Sequence, residues 1–373
     1  MPKNIVFCAD GTWNRPEPNA GDDTNVLKFY QALAGANTQD CTPDGSEQER
    51  IMTGANGEVV QIAKYIDGVG SEGCELQKTV EGATGGGLIS RIIRGYTFIS
   101  RNYRAGDYIY LTGFSRGAYT VRALSALIQA KGVMDATKVD LSNKMFAYQL
   151  AAAVWRTRAM ELARSNSDKL AAFEIFLTNL AGATDQIPAP SQMTGVNIQA
   201  VGVWDTVGAL GIPEFDANHE QIDSFQFADR KICTNVLKGF HAVSLDEQRP
   251  NFAPTLWDAD PAKVTQVLFP GAHSDVGGGY PEDGLSDAAL LWMTDHMAMA
   301  GVHFGPRVEA DPNPLAPAHK PWAHGVFAAV PPVHRTFPAG MPLSDSVKAR
   351  LGKSVVADPG EAPAIYAPVN LPA

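Results

Sequence analysis

The sequence predicts an α/β fold, a mainly parallel sheet with helices on both faces and a helical insertion. Three observations predict it. Apolar runs of strand length alternate along the chain with segments of helical spacing. One such strand, starting at Asp107, runs into Gly113-Phe114-Ser115-Arg116-Gly117 and then into an Ala- and Leu-rich helical segment at 118–130, which is strand, sharp turn, helix. The size also suits: 373 residues hold one large α/β domain with insertions or two smaller ones, and 45% hydrophobic with 19% charged residues describes an ordinary globular chain.

The elements follow in order. Residues 5–9 read as the first strand, followed by the turn at 10–14 and a loop at 14–25 rich in Pro, Asn, Asp and Gly. Residues 26–33 have helical spacing, and 34–58 are polar and Gly-rich, a long excursion over the surface. A second strand at 59–66 ends at Asp67, and Gly85, Gly86 and Gly87 open a helix running to about Tyr103. Residues 138–180 read as helical almost throughout, with few breakers. This places a cap, or equally a set of packing helices, at about 138–195. Further strands are expected at 196–203 and 264–269, and a helix at 287–300 with Ser286 as its cap. The domain then spans 1–305, and 306–373 form a Pro- and Ala-rich tail packed on the body.

Composition removes several classes of function. A net charge of −10 with no dense Lys/Arg run argues against nucleic acid. Cys8, Cys41, Cys74 and Cys233 are scattered, without Cys-x-x-Cys or metal-ligand spacing, so free thiols in a reducing compartment are expected. The N-terminal stretch at 1–10 is a short apolar run ending in an acid, too short for a signal-peptide core and without a cleavage site, and the longest apolar stretch, 145–155, is too short to span a bilayer. A soluble protein made in the cytoplasm is expected, any export needing a dedicated machine.

The chemistry centres on Ser115. A serine at a strand-to-helix turn is strained and presents its hydroxyl above the sheet, and Gly113 and Gly117 let strand and helix pass closely. Open α/β sheets bind ligands at the carboxyl ends of their strands, and three reactive residue types stand at such ends in the order Ser115, Asp205, His273. Serine needs a base within reach, and the imidazole of that base needs a carboxylate to fix its tautomer. His273, in the Gly-rich segment 271–280, is favoured over His241 and His296; Asp205 is favoured over Asp246 and Asp275, the last of which would otherwise hydrogen-bond within its turn. The Arg116 amide, at a helix N-terminus, is a candidate oxyanion donor. The Asp10-Gly11-Thr12 turn resembles the first motif of haloacid dehalogenase-type phosphatases, but Cys8 stands where their nucleophilic aspartate would be. An amide of Gly11 or Thr12 as the second oxyanion donor fits better.

Four stretches, FCADGTWN at 7–14, GFSRGA at 113–118, VWDTVG at 203–208 and GAHSDVGGGY at 271–280, together resemble the type VI secretion lipase-effector catalytic domain and its uncharacterised relatives. The resemblance covers about residues 3–300. It implies an α/β-hydrolase fold with Ser115, Asp205 and His273 as the triad, and hydrolysis of acyl esters of bacterial membrane lipids, with peripheral membrane contact and a secretion-system or immunity partner. No metal or organic cofactor is expected. The chain is expected to lack the large C-terminal membrane-associating region of those effectors. A hydrolase of small esters or thioesters, and a binding module that keeps the fold without catalysis, stay open beside it. The segment 145–155 is either a lid over an acyl site or an ordinary packing helix.

Overall fold

Every residue of the first strand, β1 (Asn4–Ala9), is buried, as a parallel strand covered on both faces requires. The computed structural model describes residues 2–11, 23–39, 46–68, 86–164, 184, 186–208, 230–306 and 308–373. After β1 come α1 (Asn25–Ala32), β2 (Ala36–Asn37), β3 (Glu47–Thr53), β4 (Val59–Ile66), α2 (Gly86–Asn102), β5 (Tyr108–Phe114) and α3 (Arg116–Lys131). The chain continues through β6 (Val133–Met134), α4 (Lys144–Arg164), β7 (Met193–Thr194), β8 (Ile198–Trp204), β9 (Val236–Ser244), β10 (Val264–Phe269), α5 (His273–Gly277), α6 (Gly284–Met299) and α7 (Asp345–Arg350).

The main sheet has the order β10-β9-β8-β5-β1-β4-β3-β2. The strands from β10 to β4 are mutually parallel, and β3 and β2 continue the sheet antiparallel. The α/β class expected from the sequence is therefore the class observed. Strand alternation divides the core. Ile5, Phe7, Ile109 and Leu111 face α2, α3 and α4, whereas Val6, Cys8, Tyr110 and Phe114 face α1 and α6. The helices after β1 and β5 thus lie on opposite faces, which makes the carboxyl ends of these adjacent strands the topological switch point of the sheet.

Several expectations are corrected. The surface excursion at 34–58 contains β2 and β3; Glu47 and Glu49 of β3 lie 2.6 and 3.2 Å from Lys64 of β4, so cross-strand ion pairs replace the apolar alternation that signals a strand. β9, between β8 and β10, was not anticipated, because Lys238 and Gly239 interrupt its apolar run. α6 starts at Gly284 behind Asp283, and Ser286 lies inside the helix, its hydroxyl donating to the Asp283 carbonyl at 2.9 Å. Of the long helical region, 144–164 is one helix, 138–143 is turn and loop, and 165–183 lie outside the described residues. The loop at 14–25 also lies outside them up to residue 22. Among the described residues no helix is long and apolar enough to cross a membrane.

The segment 145–155 lies within α4. Leu150, Val154 and Trp155 are buried in the core formed with α2 and α3, although Met145 at its start is exposed. Residues 342–344 run beside the outer strand of the sheet: Leu268 of β10 donates to the Pro342 carbonyl and accepts from the Ser344 amide. The Arg350 guanidinium, fully buried, donates to the carbonyls of Pro314 and Ala316 at 2.8 and 2.7 Å.

Trp155→Ala is expected to cost about 3–5 kcal/mol, because a large buried ring leaves a cavity that α2 and α3 cannot close. A denaturant titration checks this; an unchanged midpoint would point to a lid.

Candidate active site

Ser115 joins β5 to α3 with φ 57° and ψ −123°, and Asp205, one residue past β8, has φ 34°. Among the described residues these are the two non-glycine positions with positive φ. Such backbone costs on the order of 1–3 kcal/mol and persists only where its surroundings over-determine it. At Ser115 they do. Its amide donates to the Trp204 carbonyl at 3.1 Å, tying the turn to the neighbouring strand end. Below the turn, α3 presses on β1 so closely that a Cβ on Gly117 would collide with the carbonyl oxygens of Ala9 and Asp10. A Cβ on Gly113 would lie 2.5 Å from the Gly117 carbonyl oxygen. The glycine spacing on either side of the serine is thus a packing requirement. The Arg116 amide is among the first of α3, where no carbonyl of the helix faces it. The Arg116 guanidinium is pushed down to about 10 by burial and then by Arg91.

Asp205 is fully buried, and its oxygens are densely bonded. Oδ2 meets His273 Nδ1 at 2.5 Å, and Oδ1 accepts the Ser244 amide at 2.9 Å. The Arg335 guanidinium forks onto both oxygens, Nη1 to Oδ1 at 2.7 Å and Nη2 to Oδ2 at 2.9 Å. Burial alone pushes this carboxyl up; Arg335, then His273, more than reverse that and hold it well below the usual carboxylate range.

His273 opens α5, a short helix where a Gly-rich turn had been expected, and its amide donates to Glu247 Oε2 at 3.1 Å. Its ring packs against Phe114, centroids 4.6 Å apart, and edge-on to Phe252 at 5.0 Å. Phe114 immediately precedes Ser115, so the imidazole lies beside the Ser115 turn. Nε2 is buried and has no hydrogen-bond partner among the described residues. Burial lowers the pKa of His273 and Asp205 only partly restores it; Nδ1 donates to the Asp205 carboxylate, which leaves Nε2 as the nitrogen able to accept a proton.

The rival residues are engaged elsewhere. His241 is fully buried; its Nε2 accepts the Thr206 amide at 3.1 Å and Nδ1 faces Gln266 Oε1 at 3.2 Å. Burial and then Arg122 push it down to about 3, the value of a neutral core histidine. His296 donates through Nδ1 to the Trp292 carbonyl at 2.7 Å. Asp246 accepts the Gly271 amide at 2.7 Å and the Tyr366 hydroxyl at 2.8 Å, and burial raises it to about 6. Asp275 accepts the Ala272 amide within its own turn at 2.8 Å, and faces His319 Nδ1 at 2.7 Å.

The Asp10 turn departs from expectation. The Gly11 amide is aimed at its neighbour's carboxylate, 2.6 Å from Asp10 Oδ1, so it is not free for an oxyanion; Thr12 lies outside the described residues. Asp10 Oδ2 also accepts the hydroxyls of Thr24 at 2.6 Å and Tyr65 at 2.7 Å. Burial raises this carboxyl to about 6 against those bonds. Cys8 lies in the α1 and α6 core, its thiol raised by burial and by Asp10. Among the described residues no cluster of His, Cys, Asp or Glu could hold a metal ion. Sequence reasoning missed Arg335, Ser244, Glu247 and Phe252, none of which carries a local pattern.

A family described as T6SS, phospholipase effector Tle1-like, catalytic domain matches residues 3–296. An uncharacterized protein of Saccharomyces cerevisiae is 31% identical over 148 residues, which is 36% of this chain and 18% of that protein. An uncharacterized protein from Pseudomonas aeruginosa resembles it structurally with a TM-score of 0.45 and 17% identity, over 84% of this chain and 49% of that one. The Tle1 effector bound to the VgrG spike of the type 6 secretion system gives a TM-score of 0.38 and 19% identity, over 75% and 51%. The chain therefore spans about half the length of these two solved proteins and less of the yeast one.

Asp205→Asn is expected to lower ester turnover roughly 10⁴-fold by holding the wrong imidazole tautomer, with Asp246→Asn and Asp275→Asn far milder; steady-state kinetics decide it. Because burial holds His273 below its ordinary value of 6.5, a reaction needing neutral imidazole should have the acid limb of its kcat/KM profile centred below pH 6.5. An acid limb centred above 6.5 would contradict the assignment.

Proposed function

The chain belongs to the Tle1-like phospholipase effector catalytic-domain family, and from that premise we propose that it hydrolyses carboxylic esters of membrane lipids with Ser115 as nucleophile. The observation that carries this is the unpartnered, buried Nε2 of His273, whose ring packs on Phe114 next to a serine held at positive φ. Ser115 Oγ attacks the ester carbonyl while His273 Nε2 takes its proton. The Nδ1–H stays directed at Asp205, which stabilises the imidazolium. The tetrahedral oxyanion sits against the Arg116 amide, where the N-terminus of α3 favours negative charge. His273 then returns the proton to the leaving alcohol, and water repeats the sequence on the acyl-enzyme. Membership of an effector family supports export by a secretion machine, contact with a lipid surface and an immunity partner.

The test is labelling with a fluorophosphonate, with the modified residue mapped by mass spectrometry. Label is expected on Ser115 and on no other serine. Ser115→Ala should lower kcat roughly a million-fold and leave the melting temperature nearly unchanged. Phospholipid vesicles should release free fatty acid. Turnover confined to acetyl and butyryl esters would replace the lipid reading with that of a small-ester hydrolase, and labelling elsewhere would remove Ser115.

A further inference from the structure

The segment that supplies Arg335 lies beyond the matched residues, 3–296, and carries no sequence pattern of its own. It nevertheless places a guanidinium, 7% exposed, on both oxygens of Asp205. The placement is anchored on several sides. Arg335 Nη1 also donates to the Ser244 carbonyl at 2.8 Å, and Nη2 to the Phe252 carbonyl at 2.5 Å. The Val333 amide donates to the Gln248 carbonyl at 2.8 Å, and Asn370 Nδ2 holds the Arg335 carbonyl at 3.2 Å. Phe252, bonded in this way, is the ring that packs edge-on against His273. One side chain from the tail therefore touches the carboxylate, the strand end β9 and the loop behind the imidazole.

On the reading that Ser115, His273 and Asp205 cleave esters, we propose that Arg335 is a positioning residue of that centre. Its planar fork fixes the plane of the Asp205 carboxylate, and it shares that carboxylate's charge with the imidazole. Two physical consequences follow. A fully buried carboxylate needs compensation to remain ionised, and among the described residues Arg335 is the permanently charged cation hydrogen-bonded to Asp205. The bidentate geometry also leaves Oδ2 directed at Nδ1, which a single-point donor does not enforce. The charged groups around the imidazole are Asp205 and Glu247, with Arg249 and Arg335 opposite them. Removing Arg335 leaves the two carboxylates in excess. The imidazolium is then favoured, Asp205 is easier to protonate, and the active protonation state needs a higher pH.

The experiment uses the full chain, Arg335→Met and Arg335→Lys, with melting temperature and fluorophosphonate labelling measured alongside kcat/KM from pH 4 to 9 on one soluble ester. In Arg335→Met the acid limb is expected to move up by about one pH unit, and kcat to fall roughly 100-fold as the imidazole loses its alignment. Arg335→Lys keeps the charge and loses the fork, so its acid limb should stay near the wild-type position while kcat falls. Folded Met and Lys variants with unmoved limbs and wild-type kcat would overturn the proposal. If the Met variant does not fold, the Lys variant decides: wild-type kcat overturns the positioning role, and a lowered kcat with Ser115 still labelled supports it. Wild-type protein that takes no label at Ser115 sinks the underlying hydrolase reading instead, an outcome independent of the variants.

Discussion

A buried carboxylate with four directed donors organises the carboxyl ends of the strands. Asp205 stands at the end of β8 with no exposure, where an uncompensated charge would cost several kcal/mol. Ser244 at the end of β9, His273 of α5 and Arg335 of the tail each give it a hydrogen bond. These come from chain positions far apart, so satisfying one charge draws together the sheet, the helix that carries the proposed base, and the last part of the chain. The positive φ of Asp205 is tolerated because its partners hold both of its oxygens in place.

The second constraint is the close approach of α3 to β1. With glycine at 117 the helix starts almost in contact with the β1 carbonyls, and Ser115, which links β5 to α3 at that close approach, takes a positive φ. The strain is therefore set by packing beneath the turn, and its result is a hydroxyl at the switch point of the sheet. Phe114, one residue earlier, supplies the ring against which His273 packs, so the same turn locates both the proposed nucleophile and its base.

Around this centre lie three further carboxylates, Asp10, Asp246 and Asp275, all raised by burial. Each binds backbone amides or hydroxyls that fix a loop: Asp10 the turn after β1, Asp246 the Gly271 corner and Tyr366, Asp275 the start of α5 and His319. Perturbed acidity marks functional sites only when a reacting position lies within reach. For these three, the bonds in place account for structure alone.

What the sequence determined by itself was the local chemistry. Strand-to-helix punctuation around Ser115, the apolar runs of β1, β4 and β10, and the chain order Ser115, Asp205, His273 are all statements about neighbours in sequence, and periodicity reads those directly. The α/β class followed from them. β3 escaped because ion pairs with Lys64 and Arg94 replaced apolar alternation, and β9 because Lys238 and Gly239 broke its run. The choice among Asp205, Asp246 and Asp275 as the partner of His273 and the arrival of Arg335 at Asp205 were decided only by tertiary structure. Each depends on which distant part of the chain a side chain meets, and a carboxylate or guanidinium has the same local signature wherever the chain happens to bring it.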